Sequence, residues 1–315
     1  MREAIDRGGG VPLVLVPGIQ GRWEYVRPAI DALSSRFRVI AFSLAGASPF
    51  ARPAADRPAP DRPWFRRNAP DDRGRREGLR DDRLDDRGEP EGLPDMPGER
   101  ALTKDAAGVA RVLDDRGIDR AVVCGISFGG LVALRFAAMH PDRTIALVLA
   151  STPGPSFRLH PRHRLYARLP WLCGPLFLAE SPWRLRAEIC RALPRWPDRL
   201  RFSAWQLGTI AAAPLSLGQM ARRAGSIESA DPRADARAVS APTLIVTGEP
   251  GLDRVVPVSG TLEYATLVRD ARAVVQPDTG HLGSITRPGA FASLVGRFVD
   301  DVRQRSGTRR QGRAS

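Results

Sequence analysis

One serine stands in Gly125-Ile126-Ser127-Phe128-Gly129-Gly130, flanked by glycines two positions away on either side. A serine hydroxyl becomes a useful nucleophile only when a base takes its proton, and attack on a carbonyl is the chemistry this pairing performs. Four histidines could be that base. His140 stands beside Pro141 at a predicted helix end and reads as a surface or capping residue. His160 and His163 sit among arginines, and their spacing makes no convincing metal pair. His281 differs, because Thr279-Gly280-His281-Leu282-Gly283 is a glycine-flanked loop directly after the last apolar run, where catalytic groups collect in open parallel sheets. His281 is therefore the expected general base.

The third member has to orient that imidazole and support its positive charge. After the apolar run ending at Thr247 come Glu249 and Asp253. Asp253 is the preferred acid, and Glu249, nearer the strand end, is the open alternative. The order Ser127, Asp253, His281 is the one that accompanies a G-x-S-x-G turn. Oxyanion donors are expected from the Phe128 N–H and from the loop Pro17-Gly18-Ile19-Gln20-Gly21, with Ile19 preferred over Gln20.

These residues need elements to hold them. Val11–Val16, Arg38–Phe42, Ala121–Cys124, Thr144–Ala150, Pro242–Thr247 and Arg272–Gln276 are short apolar runs that read as strands buried on both faces. Helical spacing lies between most of them: 23–34, 102–113, 131–139, 259–267 and 288–303. Such alternation calls for an α/β fold with a mostly parallel sheet of about six strands and helices on both faces. Ser127 then occupies a sharp strand-to-helix turn, at a helix N-terminus whose partial positive charge favours a developing oxyanion.

Two segments interrupt the alternation. Residues 51–100 hold eight prolines, five glycines, twelve arginines and thirteen acids, and the triplet Asp-Asp-Arg recurs at 71–73, 81–83 and 85–87. So little apolar material against balanced charge predicts a disordered insertion over about 50–98. From about 156 to 238 the pattern becomes helices broken by prolines, with eight of the chain's twenty aromatics.

The whole chain of 315 residues is 43% hydrophobic and 26% charged, an ordinary globular composition. No run approaches the roughly 18–20 apolar residues of a membrane span. The first seven residues carry no apolar core of a secretory signal, so a cytoplasmic location is expected. Cys124, Cys173 and Cys190 are too few and scattered for a disulfide framework or zinc site, and each reads as a small buried hydrophobe. The formal charge of +13 rests on arginine, Lys104 being the one lysine. That uniform preference reads as compositional bias, and no nucleic-acid motif accompanies it. Charge concentrates at 158–201, with ten arginines against three acids, and in a basic tail over 304–315. Both read as solvated basic faces, with attraction to an anionic substrate or membrane surface the lesser reading.

Val14-Leu-Val-Pro-Gly-Ile19, Gly125-Ile-Ser-Phe-Gly-Gly130, His140-Pro-Asp-Arg143, Pro242-Thr-Leu-Ile-Val-Thr-Gly-Glu249 and Thr279-Gly-His281 together resemble the α/β-hydrolase superfamily, over roughly residues 11–48 and 101–300. The resemblance implies a core of 1–155 and 239–303, a helical cap at 156–238, and a substrate pocket between them. It implies hydrolysis through an acyl-enzyme on Ser127, with no metal or organic cofactor. The chain departs from many members in having Pro17-Gly18 where they have His-Gly, and its short N-terminus suggests that the family's first two strands are absent. A small-molecule carboxylic ester, thioester or lactone with an apolar portion is the expected substrate. Cleavage of carbon–carbon bonds, amides or N-terminal prolines, and non-catalytic ligand binding, are the alternatives. No oligomeric state is implied.

Overall fold

The computed structural model describes residues 4–44 and 97–311, and within the second stretch the side chains of 98–305. The six apolar runs become six parallel strands: β2 (Pro12–Val16), β3 (Arg38–Phe42), β4 (Ala121–Ile126), β5 (Thr144–Ala150), β6 (Thr243–Thr247) and β7 (Ala271–Val275). An added strand, β1 (Ala4–Arg7), pairs antiparallel with β3, so the sheet has seven strands in the order β1-β3-β2-β4-β5-β6-β7. The sheet therefore has the six parallel strands expected and one edge strand more. The sequence of β1 shows only one large apolar residue, Ile5, and its place is fixed by Asp6, whose carboxylate takes bonds from Arg38 at 3.1 and 2.8 Å.

Between these strands lie α1 (Arg27–Leu33), α2 (Pro97–Asp114) and α3 (Phe128–Met139). Five helices join β5 to β6: α4 (Pro161–Arg168), α5 (Pro170–Ala192), α6 (Trp196–Ala212), α7 (Leu217–Ser229) and α8 (Arg233–Ala238). Two short helices, α9 (Val258–Leu262) and α10 (Tyr264–Leu267), precede β7; α11 (Gly283–Thr286) and α12 (Pro288–Gln311) follow it. One core, around Leu102, Leu113, Phe136 and Tyr264, buries α2, α3 and α8 on one face of the sheet. A second, around Ile30, Leu33, Phe291 and Val295, buries α1 and α12 on the other. The parallel strands are thus covered on both sides, which is why their sequences are apolar throughout and do not alternate.

Four local expectations change. The segment expected to be disordered over 50–98 lies outside the described residues except at its end, where α2 already begins at Pro97 and Gly98 is buried against Ser226 and Ser229. Prolines do not break α5, which runs through Pro175 and Pro182; the two rings, seven residues apart, both lie on its exposed side. The helix α12 continues to Gln311, into the stretch expected to be a basic tail. Cys124 is buried as expected, and burial pushes its thiol far above the usual range, but Cys190 is exposed.

Candidate active site

The turn between β4 and α3 puts Ser127 at φ 54 and ψ −124, a conformation unfavourable for a residue with a side chain. Close packing around it explains the neighbouring glycines. A Cβ on Gly125 would lie 2.2 Å from the Gly129 carbonyl oxygen, and one on Gly129 would lie 2.3 Å from that of Val16. A Cβ on Gly130 would lie 1.9 Å from the Thr152 hydroxyl. The Ser127 N–H donates to the Ala150 carbonyl at 2.8 Å, and the Gly130 N–H donates back to the Ser127 carbonyl at 2.8 Å. The strained residue is therefore held by bonds on both sides.

Ser127 follows β4, Asp253 follows β6 and His281 follows β7, so all three lie at the carboxyl ends of parallel strands. The His281 ring bridges the other two. Its Nε2 is 3.0 Å from Ser127 Oγ, and its Nδ1 is 3.3 Å from Asp253 Oδ2. Asp253 is buried, and its Oδ1 accepts the Val255 and Val256 N–H groups at 3.0 and 2.9 Å, which fixes the carboxylate plane. Glu249 lies elsewhere. Its Oε1 accepts the Asp278 N–H at 2.7 Å and its own N–H donates to the Thr279 carbonyl at 2.7 Å, so it ties the Asp253 loop to the His281 loop.

The loop after β2 turns tightly, with the Gly21 N–H donating to the Gly18 carbonyl at 2.8 Å. Gly18 lies against Ser127: a Cβ on it would be 3.5 Å from Ser127 Cβ. The Gln20 side chain folds back over Gly18. Phe128 opens α3, so its N–H has no intrahelical acceptor.

Two buried charged residues at this site carry no mark in the sequence, and both come from the helices between β5 and β6. Glu188 of α5 is 1% exposed, and its Oε1 accepts the Leu282 N–H, next to His281, at 2.6 Å. Its Oε2 is buried without a hydrogen-bond partner, and burial pushes the carboxyl up to about 6 against the pull of nearby backbone N–H groups and His281. Arg223 of α7 donates to the Ile19 carbonyl at 3.0 Å and packs its guanidinium against Gly21. Desolvation holds its pKa below the usual arginine value. Sequence reasoning missed both, because one acid among the ten arginines of 158–201, and one more arginine in an arginine-rich chain, have no distinguishing pattern.

The other histidines serve local structure. His140 caps the end of α3 against the Phe136 ring, and His160 accepts the Arg162 N–H at the start of α4. His163 faces Arg184 at 3.0 Å. Among the described residues no group of three or more His, Cys, Asp or Glu could hold a metal ion, and no helix is long and apolar enough to cross a membrane.

A family model described as "alpha/beta hydrolase fold" matches residues 11–288. The 2-hydroxymuconate semialdehyde hydrolase of Pseudomonas putida is 29% identical over 194 residues, 61% of this chain and 66% of that protein. The pimeloyl-(acyl-carrier protein) methyl ester esterase of Aromatoleum aromaticum is 31% identical over 188 residues, 56% of this chain and 73% of the esterase. The chain thus spans just under two thirds of the first relative's length, and only 15% of a homoserine O-acetyltransferase of Thermus thermophilus that it matches at 43% identity. Among solved structures, a thermophilic esterase from Thermogutta terrifontis superposes with a TM-score of 0.62, covering 95% of this chain and 93% of the esterase at 22% identity. At that identity the likeness is one of fold.

Proposed function

Because the chain belongs to the α/β hydrolase fold family, we propose that it is a serine hydrolase cleaving a carboxylic ester, thioester or lactone through an acyl-enzyme on Ser127. One observation carries this reading: the continuous line Ser127 Oγ, His281 Nε2, His281 Nδ1, Asp253 Oδ2, with spacings of 3.0 and 3.3 Å across the imidazole. Such an arrangement has a use only if the hydroxyl gives up its proton.

His281 Nε2 accepts the Ser127 proton as Oγ attacks the carbonyl carbon. The N–H groups of Phe128 and Ile19 stabilise the oxyanion, and Asp253 supports the imidazolium. The tetrahedral adduct collapses as His281 returns the proton to the departing alcohol or thiol. Water, deprotonated by His281, then attacks the acyl-enzyme and releases the acid. Nucleophile, base and oxyanion donors all come from this chain, so the reaction calls for no metal or organic cofactor. The helical segment 156–238 acts as a cap over a small-molecule pocket, a role supported by the contacts of Glu188 and Arg223 with the two loops beside Ser127.

The test is labelling with a fluorophosphonate, followed by chromogenic esters of increasing acyl length, with Ser127→Ala as control. Labelling and turnover that vanish in the variant support the reading, whereas a folded protein inert to both overturns it. The muconate semialdehyde hydrolase relatives favour carbon–carbon cleavage as a second reading. Faster turnover of 2-hydroxymuconate semialdehyde than of any ester would select it.

A further inference from the structure

The helix α5 is built the wrong way round for a soluble protein. The side facing the protein carries Gly174, Glu188 and Ala192, which are buried, while Leu172, Leu176 and Trp183 point to solvent. The next helix repeats the pattern. Trp196, Leu200 and Leu207 of α6 are exposed, with the same spacing of four and then seven residues, which places each trio on one helical face. Exposure of these six ranges from 52% for Leu176 to 77% for Leu172, far beyond scattered surface leucines. A helix stripe this wide is normally what a helix buries.

We propose that the outer faces of α5 and α6 dock onto an anionic lipid surface. The chemistry matches that of interfacial helices: leucines to enter the acyl boundary, tryptophans for the headgroup level, and arginines for lipid phosphates. Arg168, Arg186, Arg195 and Arg201 are exposed on the same helices and their joints, and the Arg186 guanidinium lies 4.4 Å over the Trp183 ring. The three acids of this stretch do not offset them. Glu188 is buried and Glu180 is paired with Arg162 at 2.9 Å, so only Asp198 meets one of the four, Arg201, at 3.4 Å, and the Arg201 side chain stays 81% exposed there. Positive charge also decides between occupants: a second copy of the chain would bring arginines against arginines across a two-fold interface, whereas lipid phosphates neutralise them. The surface is separate from Ser127, and docking does not rest on the reaction proposed above.

Co-sedimentation of the full chain with vesicles tests this, comparing phosphatidylglycerol mixed into phosphatidylcholine with phosphatidylcholine alone. Partitioning to the anionic vesicles is expected, with a blue shift of tryptophan emission and loss of binding at high salt. Leu172→Ser with Leu176→Ser, and separately Leu200→Ser with Leu207→Ser, should each weaken partitioning by about tenfold or more. The thermal melts should stay unchanged, since these side chains are exposed. Ser127→Ala should bind as the parent does. Three outcomes overturn the proposal: no partitioning, partitioning that the leucine variants leave intact (as the terminal arginines alone would produce), or a dimer in light scattering that those variants abolish.

Discussion

Asp253 and Glu249 are four residues apart and chemically alike, yet their surroundings give them different work. Asp253 faces the imidazole with its other oxygen fixed by two backbone N–H groups, and Glu249 braces the backbone of the neighbouring loop. Asp253→Asn should lower kcat by roughly 10⁴-fold with the fold intact. Glu249→Gln should leave kcat within about threefold, and lower the urea midpoint by the equivalent of about 1 kcal/mol. Glu188 gives a pH signature. Its carboxyl titrates near 6 when folded and near 4.5 when free, so the folded state favours the protonated form. Wild-type stability should therefore fall by about 2 kcal/mol as pH rises from 4.5 through 6 and then level off. Glu188→Gln, still able to accept the Leu282 N–H, should lose that slope and be the more stable protein at pH 8, as denaturant titrations at the two pH values would read. Ser127 and His281 are legible in the sequence because each sits in a short run whose glycines and flanking strand announce a turn, whereas Asp253 shares its run with Glu249 and the sequence leaves both open. Glu188 and Arg223 are not legible, since their orientation is set by how α5 and α7 lie against loops distant in sequence.

At the scale of elements, glycines separate positions fixed by packing from positions that are merely permissive. Gly129→Ala should cost about 3 kcal/mol or more, because the new Cβ meets the backbone oxygens of Val16 and Pro17 at 2.3 and 2.5 Å. Gly225→Ala, exposed in the interior of α7 with nothing within 4 Å of the new Cβ, should stabilise by about 1 kcal/mol. Parallel denaturation curves decide both signs. Strands buried on both faces are legible because their apolar content is continuous. The strand β1 is not, having exposed faces and an ion pair as its anchor. The start of α2 was hidden for a related reason: Pro97, Gly98 and Glu99 continue the charged, proline-rich composition before them, while Gly98 and Glu99 are buried.

On the scale of the whole molecule, the large arginine content divides into two populations. Some arginines are internal fasteners that a charge count cannot reveal. Arg135 of α3 is buried, bonding to Glu99 of α2, to Thr103 at 3.1 Å and to Asp235 of α8 at 2.6 Å, so that one side chain joins helices from three distant segments. Glu99 in turn accepts the Asp231 N–H at 2.8 Å. Arg135→Ala would strand the buried Glu99 carboxylate and the half-buried Asp235 carboxylate, and should cost about 3–5 kcal/mol in equilibrium unfolding. Arg7→Ala, whose bond to Asp31 is exposed, should cost less than about 1 kcal/mol. A charge count gives the number of arginines, but only the tertiary arrangement shows which of them the fold depends on.

The glycines around Ser127 also set which genetic repairs exist. At Gly125 and Gly129 the obstacle to a side chain is main chain, which no other substitution can remove, so alanine at either position should have no second-site suppressor. At Gly130 the obstacle is the Thr152 side chain. A selection for regained activity in Gly130→Ala should therefore return Thr152→Gly, since alanine at 152 would keep a Cβ 2.8 Å from the new one, leaving two of the three positions as evolutionary dead ends and the third as a gate with a single key.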